Sequence, residues 1–285
     1  MQQEHAESSS SYPVESGSVA EMNRLIKQAE VMTHCLGPVP PALDLRQMQT
    51  ILDVACGPGE WIVTMAKQLP QAHFVGIDIS RLMINHAQSW AESQALLNTQ
   101  FRVMDVREPL AFPDASFDLI HARFLVGVLT KTTWPLLLAE CFRLLRPGGI
   151  ICLTEAENVG IATSLAFTRF NSLLVESFRR QDHCFTQAGD NSGLTVVRGK
   201  LLQEAGFSVV SQHINTIDFS YGTPVHPAFL DNYSTMLVVV RPFFMQTLSL
   251  PEEELQTLAK QLASEMQDPS FQAISYFQTI LGSKS

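Results

Sequence analysis

Charge is sparse in this chain and mostly negative. Lysine and arginine number 19 against 28 aspartates and glutamates, a net charge of −9 over 285 residues, and no lysine–arginine run occurs. Tracking a phosphate backbone needs such a run, so a nucleic-acid partner is not expected. Cysteine is thin as well. Cys35, Cys56, Cys141, Cys152 and Cys184 are scattered, odd in number and without a C-x-x-C pair. That pattern argues against a disulfide framework or a cysteine zinc site and fits reduced thiols. The aliphatic run Leu237–Val240 is far too short to cross a bilayer. The first residues, with Ser8–Ser11, are polar and hold no apolar signal-peptide core. A soluble, cytoplasmic protein without a membrane span is expected. With 46% hydrophobic residues, the bulk is globular and forms one large domain.

What is present begins at Ile51. Ile51-Leu52-Asp53-Val54 reads as a buried strand, Gly57-Pro58-Gly59 as a tight turn, and Trp61–Ala66 as the start of a helix. Glycine belongs in such a turn because a side chain would keep a ligand away from the backbone. Free N–H groups at the helix start suit a carboxylate or a phosphate. The dinucleotide fingerprint wants a third Gly or Ala where this chain has Ile62, which counts against NAD. His73–Asp78 reads as a second strand ending in an acid. Asp78 lies about twenty residues past the turn, where a carboxylate reaches both ribose hydroxyls. Phe101–Asp105 is a third strand ending in an acid, Phe117–His121 a fourth, and Arg146–Leu153 turns into a fifth. Strands alternating with helices imply a parallel sheet covered on both faces. Its ligands bind beyond the carboxyl ends of the strands, where Asp78, Asp105, His121 and Glu155 all fall.

From Ile51 to Glu155, in order and spacing, these segments resemble a class I S-adenosylmethionine-dependent methyltransferase. The similarity is to the small-molecule type, related to quinone and natural-product methylating enzymes. LDVACGPG looks like the first motif, GIDIS the ribose-binding strand end and MDV the adenine-contacting turn. FPDASFDLIHARF resembles the segment around the fourth strand, and LLRPGGIICLTE the last core motif. The resemblance implies a Rossmann-like, mostly parallel seven-stranded sheet with a helical substrate cap, and S-adenosylmethionine as cofactor, leaving as S-adenosylhomocysteine. Gly57 and Gly59 would let the backbone pass the methionine part, with Asp53 and Ala55 in the same turn. Asp78 would hold the ribose, with Ile79 against the adenine. Asp105 would accept from the adenine amino group and the Val106 N–H would donate to the ring. His121 would stand where the chain passes the methionine amino end. Taken by itself, Asp53 is expected to organise the turn by hydrogen bonding, and Cys56 to be a small buried residue rather than a nucleophile.

Before the core, apolar residues from Val19 to Leu36 recur at helical spacing, following a mobile tail over residues 1–18. Residues 19–45 are expected to cover the cleft, where Arg24 and Gln28, one turn apart, face it or form a solvated helix face. Beyond Glu155, helices are expected over Ala162–Arg180, Leu194–Ala205, Ala228–Gln246 and Pro251–Met266. Strands are expected over Phe207–Ser211 and Phe271–Leu281. The stretch 222–268 reads as a helical cap inserted before the last strand. Its Phe229, Tyr233, Met236, Phe243, Phe244 and Met245 would line an apolar pocket or simply fasten the helices. The expected reaction is in-line transfer of a methyl group to a small, largely apolar or aromatic acceptor held close to it. Where a base is needed, His121 and Glu155 are the first candidates, with Glu157, His183, His213 and His226 around the cap. No metal is expected, because the metal-dependent branch has an acid where this chain has His121. The sequence leaves room for a homodimer. Two alternatives stay open: a nicotinamide-dependent oxidoreductase, and a non-catalytic S-adenosylmethionine-binding regulatory protein.

Overall fold

In the computed structural model, which describes residues 18–285, the elements run α1 (Val19–Leu36), β1 (Thr50–Val54), α2 (Glu60–Gln68), β2 (His73–Asp78), α3 (Arg81–Ser93), β3 (Thr99–Val103), β4 (Phe117–Arg123), α4 (Thr133–Leu144) and β5 (Leu145–Ala156). They continue with β6 (Ile161–Ala162), α5 (Leu165–Arg180), α6 (Leu194–Glu204), β7 (Ser208–Asp218), α7 (His226–Val239), α8 (Arg241–Leu248), α9 (Glu252–Met266) and β8 (Ala273–Ser283). The tail expected over residues 1–18 lies outside the described residues except for Ser18, whose hydroxyl accepts the Glu21 N–H and caps α1. Among the described residues no helix is long and apolar enough to cross a membrane.

The strands form one sheet in the order β3-β2-β1-β4-β5-β8-β6, with β7 along the second edge of β8. Strands β1 to β5 are parallel, and β8 runs antiparallel between β5 and β7. The expected seven-stranded, mostly parallel sheet is present, and the two-residue β6 adds an eighth strand. Strand order reverses at β1, which pairs with β2 on one side and β4 on the other. Helices leave this point in opposite directions, and a crevice opens above the carboxyl ends of the strands.

Alternation along each strand sorts the core. Ile51, Phe74 and Leu119 face α2 and α3, while Leu52, Val54 and Ile120 face α4 and α6. Both sets are buried, which accounts for the near-continuous apolar runs of the central strands. A third apolar cluster lies over the carboxyl edge of the sheet and unites α5, α7, α8 and α9 with Met32 of α1.

Several boundaries differ from expectation. The helix expected over Ala228–Gln246 is two, α7 and α8, broken at Val240, because Pro242 has no N–H to continue the ladder. Strand β7 runs on to Asp218, well past Ser211. One of its faces is open to solvent, and exposed Gln212 and Thr216 hide it from an apolar-run reading. The expected fifth strand does not run evenly from Arg146: α4 stops at Leu144 and β5 begins at Leu145. Residues 146–149 loop out of the β4–β5 ladder between the Phe117–Leu145 and Leu119–Ile150 pairs.

The turn after β1 fixes how closely α2 and α3 approach. Gly59 has φ +83°, and a Cβ there would lie 2.6 Å from the Ala87 Cβ on α3. Gly59→Ala is expected to destabilise the fold by roughly 2–3 kcal/mol, from backbone strain and overpacking together. Urea unfolding checks this; an unchanged midpoint would contradict the close-packed turn.

Candidate functional site

A cavity of about 300 Å³ opens over the carboxyl edge of the sheet. Its floor is built from strand ends: Asp53 and Ala55–Pro58 after β1, Asp78–Ser80 after β2, Asp105–Arg107 after β3. Its roof is built from helices: Leu25, Ala29 and Met32 of α1, Leu174 and Phe178 of α5, Tyr233 and Met236 of α7. Of the residues singled out in the sequence, Asp53, Ala55, Gly57, Asp78, Ile79, Asp105 and Val106 line this one space. Gly59, His121 and Glu155 do not. Gly57 has φ +54°, with nothing within 4 Å of where its Cβ would point, so the backbone there lies open to a ligand. The missing side chain of Gly59 serves the contact with α3 instead.

Each carboxylate in the floor is held. Asp78 accepts the Gly57 N–H at 3.0 Å and the Ser80 N–H at 2.8 Å, which stiffens the turn against the strand end. Burial nevertheless raises its pKa above the ordinary aspartate value, with those two N–H groups opposing the shift. Asp105 is gripped by Arg107, whose Nη2 lies 2.6 Å from Oδ2 and Nε 2.9 Å from Oδ1. Partial burial opposes its charge, but Arg107 outweighs that and holds the carboxyl below the ordinary value. An adenine amino group reaching Asp105 must therefore share the carboxylate with Arg107.

His121 lies beneath the floor rather than in it. Asp53 and His121 pair directly across β1 and β4, and His121 Nδ1 is 2.7 Å from Asp53 Oδ1. The imidazole stacks on Trp61 with ring centroids 3.8 Å apart and planes within 6°. Burial lowers its pKa, with the Asp53 charge opposing. A neutral imidazole donating Nδ1–H to Asp53 fits this site, and its effect is to aim Asp53 at the cavity. Cys56 is a thiol kept protonated chiefly by burial, with Asp78 and Asp53 adding to the shift.

Arg123 belongs to the cavity wall and was not among the residues singled out in the sequence. It stands two positions beyond His121 on β4, so its side chain shares the face of Asp53 and His121. That parity is the signal that could have found it. Its guanidinium donates to Thr33 Oγ1 of α1 at 3.1 Å and lies 3.6 Å from Glu60.

The other candidates are committed elsewhere. Glu155 is buried and accepts N–H groups from Leu125 at 2.7 Å and Val126 at 3.3 Å. Glu157 reaches the cavity, but its carboxylate caps α6 through Gly193, Ser192 and Thr195. His183 and His226 each place Nδ1 on a backbone carbonyl, Val126 and Phe219 respectively. His213 contacts Ser211 and faces a separate small pocket. Of the six aromatic and thioether residues expected to line a pocket, Tyr233 and Met236 do. Phe229, Phe243 and Phe244 are buried in the cluster of the cover, and Met245 is 37% exposed. Helix α5, which the sequence did not mark as part of a cover, also lines the roof through Leu174, Val175 and Phe178.

Known proteins resemble this chain in sequence and in fold. Residues 51–149 match the family described as methyltransferase domain. Methyltransferase pytC of Aspergillus terreus is 29% identical over 250 residues, 83% of this chain and 72% of that protein. Demethylmenaquinone methyltransferase of Listeria monocytogenes is 27% identical over 170 residues, 56% of this chain and 70% of that protein. Among solved structures, Haemonchus contortus phosphoethanolamine N-methyltransferase 2 in complex with S-adenosyl-L-methionine has the same fold. Its TM-score is 0.53 at 18% identity, over 90% of this chain and 52% of that one. The reversed strand order at β1, the open glycine turn and these relatives agree: residues 51–149 form a methyltransferase domain, and the chain is similar to the class I S-adenosylmethionine-dependent methyltransferases.

Proposed function

We propose that the protein transfers a methyl group from S-adenosylmethionine to a small, largely apolar or aromatic acceptor held under α1, α5 and α7. The observation that carries this reading is the continuity of one cavity, from the acid-bearing ends of β2 and β3 to an apolar roof. The floor suits an adenosine, with Asp78 for the ribose and Ile79, Asp105 and Val106 around the base. Asp53 and Arg123 put a carboxylate and a guanidinium side by side, complementary to the ammonium and carboxylate of an amino-acid end. When bound, the sulfonium supplies the electrophile. The chain's own work is positioning and exclusion of water: an acceptor atom about 3–3.5 Å from the methyl carbon, in line, accounts for much of the rate. The segments 19–45 and 222–268 act in this reading as the cover that closes the reaction from solvent.

An aromatic acceptor accords with the demethylmenaquinone in the Listeria relative's name. The engagement of Glu157 with the start of α6 and of Glu21 with Arg24 favours an acceptor that ionises in solution or gives its proton to water. In this scheme Glu155 supports the wall rather than serving as the base. Its two accepted N–H groups open the turn at Leu125, which follows Phe124 in a left-handed conformation at φ +61°.

Calorimetric titration with S-adenosylhomocysteine tests the cofactor site. Micromolar binding is expected, with no response to NAD. Asp78→Asn and Asp78→Ala should weaken it at least tenfold, the loss of hydrogen bonds to a charged acceptor. Binding of NAD alone would overturn the reading.

Glu155 gives a pH test. Burial, opposed by Arg198, pushes its carboxyl from 4.5 up to about 7. Between those values the folded chain keeps a proton that the unfolded chain has released, so stability falls as pH rises from about 4.5 to about 7. At about 1.4 kcal/mol per pH unit, the fall attributable to Glu155 is roughly 3 kcal/mol at most. Urea unfolding of Glu155→Gln across this range should lose that part of the slope; a profile parallel to the parent protein's would contradict the assignment.

A further inference from the structure

The roof holds a polar cluster where α1 meets α7, among mainly apolar neighbours. Arg24 of α1 is buried, and its Nε and Nη2 donate to Glu21 at 2.6 Å each. Its Nη1 donates to Gln28 Oε1 at 2.5 Å, one turn along α1, and to Asn232 Oδ1 of α7 at 2.9 Å. A guanidinium carries donors only, so both amides must present their oxygens to it. Both NH₂ groups are thereby turned away from Arg24. Gln28 and Asn232 line the cavity beside Leu25, Ala29, Tyr233 and Met236. Among the described residues no protein group accepts a hydrogen bond from either amide nitrogen, and neither nitrogen is sealed from solvent.

Position adds to the chemistry. Thr33, farther along α1, contacts Glu60 beside the turn after β1. Gln28 lies five residues nearer the start of the helix, about 7–8 Å along its axis at 1.5 Å per residue. The amides therefore stand away from the cofactor turn, on the acceptor's part of the cavity. Just outside them, the Lys27–Asp231 ion pair ties α1 to α7 at the surface.

Taking the methyl-transfer reading above as given, we propose that Gln28 and Asn232 form an oriented amide clamp selecting acceptors that carry a carbonyl or carboxylate oxygen. Arg24 is the positioning residue: by occupying both amide oxygens it fixes the direction of four N–H donors. An acceptor that displaces water from those N–H groups without offering such an oxygen leaves them unpaired, and this penalty discriminates more strongly than apolar contact does. The class named is therefore a small ring system with a carbonyl or carboxylate remote from the methylated atom.

The probes are 1-tetralone and tetralin, which differ by one carbonyl oxygen, titrated calorimetrically into protein saturated with S-adenosylhomocysteine. The protein should bind 1-tetralone more tightly, although tetralin is the more apolar. Asn232→Asp and Gln28→Glu keep an oxygen on Arg24 and remove the donors, so each should fold with the parent's unfolding profile. In each, the ratio of 1-tetralone to tetralin affinity should fall about tenfold, while the affinity for S-adenosylhomocysteine stays within twofold. The clamp is overturned if the parent protein binds neither probe or prefers tetralin. An unchanged ratio in both variants also overturns it, as does a loss of S-adenosylhomocysteine affinity in step with that of the probe, since the amides would then serve the cofactor. Failure of the parent protein to bind S-adenosylhomocysteine at all would instead strike the methyl-transfer reading itself.

Discussion

The structure depends on how the chain leaves β1. Within five residues it must quit a strand buried on both faces, expose backbone to a cavity and start a helix packed on the neighbouring α3. Gly57 meets the second demand, with open space where a side chain would project. Gly59 meets the third, at a contact where a Cβ would collide with Ala87. Gly76 on β2 belongs to the same constraint, because a Cβ there would come within 2.8 Å of Ile62, Phe101 and the Cys56 sulfur. Once the turn is set, α2 and α3 lie on one face, the strand order reverses beside it, and the crevice follows.

Charge in the floor is arranged against the cost of burial. Asp78 keeps two backbone N–H donors, Asp105 keeps Arg107, and Asp53 keeps His121. Each acid thus has a fixed direction before any ligand arrives, which is how a site gains affinity without ordering itself at the moment of binding. His121 does this work from below. Its stacking on Trp61, whose indole N–H in turn donates to the Pro38 carbonyl at 2.7 Å, ties the orientation of Asp53 to the segment joining α1 to β1. Cover and floor are therefore connected by specific contacts: Trp61 to Pro38 at one point, and Arg123 to Thr33 of α1 at another.

Local signals made much of this legible beforehand. Helix α1 spans Val19–Leu36 as its spacing indicated, and the glycine turn and the acids ending β2 and the MDV segment line one cavity. These features are written in runs and periods of a few residues. What stayed hidden depends on which way side chains face and on partners far along the chain. His121 has the right position at a strand end, but its ring points beneath the floor to Asp53, 68 residues earlier. Arg123 reaches the cavity because it alternates in step with His121. The sequence points to residues 19–45 and the insertion before β8 as the cover, yet Leu174, Val175 and Phe178 of α5 line the cavity too, since helices that follow β5 and β7 meet over the same edge of the sheet. The aromatic residues of the insertion mostly pack against neighbouring elements: Phe229 stacks on Phe219 after β7 at 4.6 Å, and Phe244 meets Phe170 of α5 edge-on. Composition cannot separate residues that line a pocket from those that hold it together.

The most direct test of the account is a crystal structure of the protein with S-adenosylhomocysteine. The expected result places the ribose on Asp78, the adenine between Ile79 and Val106, and the amino-acid end between Asp53 and Arg123. The sulfur should then face the space beneath Met32, Phe178 and Met236. A ligand bound elsewhere, or one whose sulfur faces solvent rather than that chamber, would contradict the assignment of floor to cofactor and roof to acceptor.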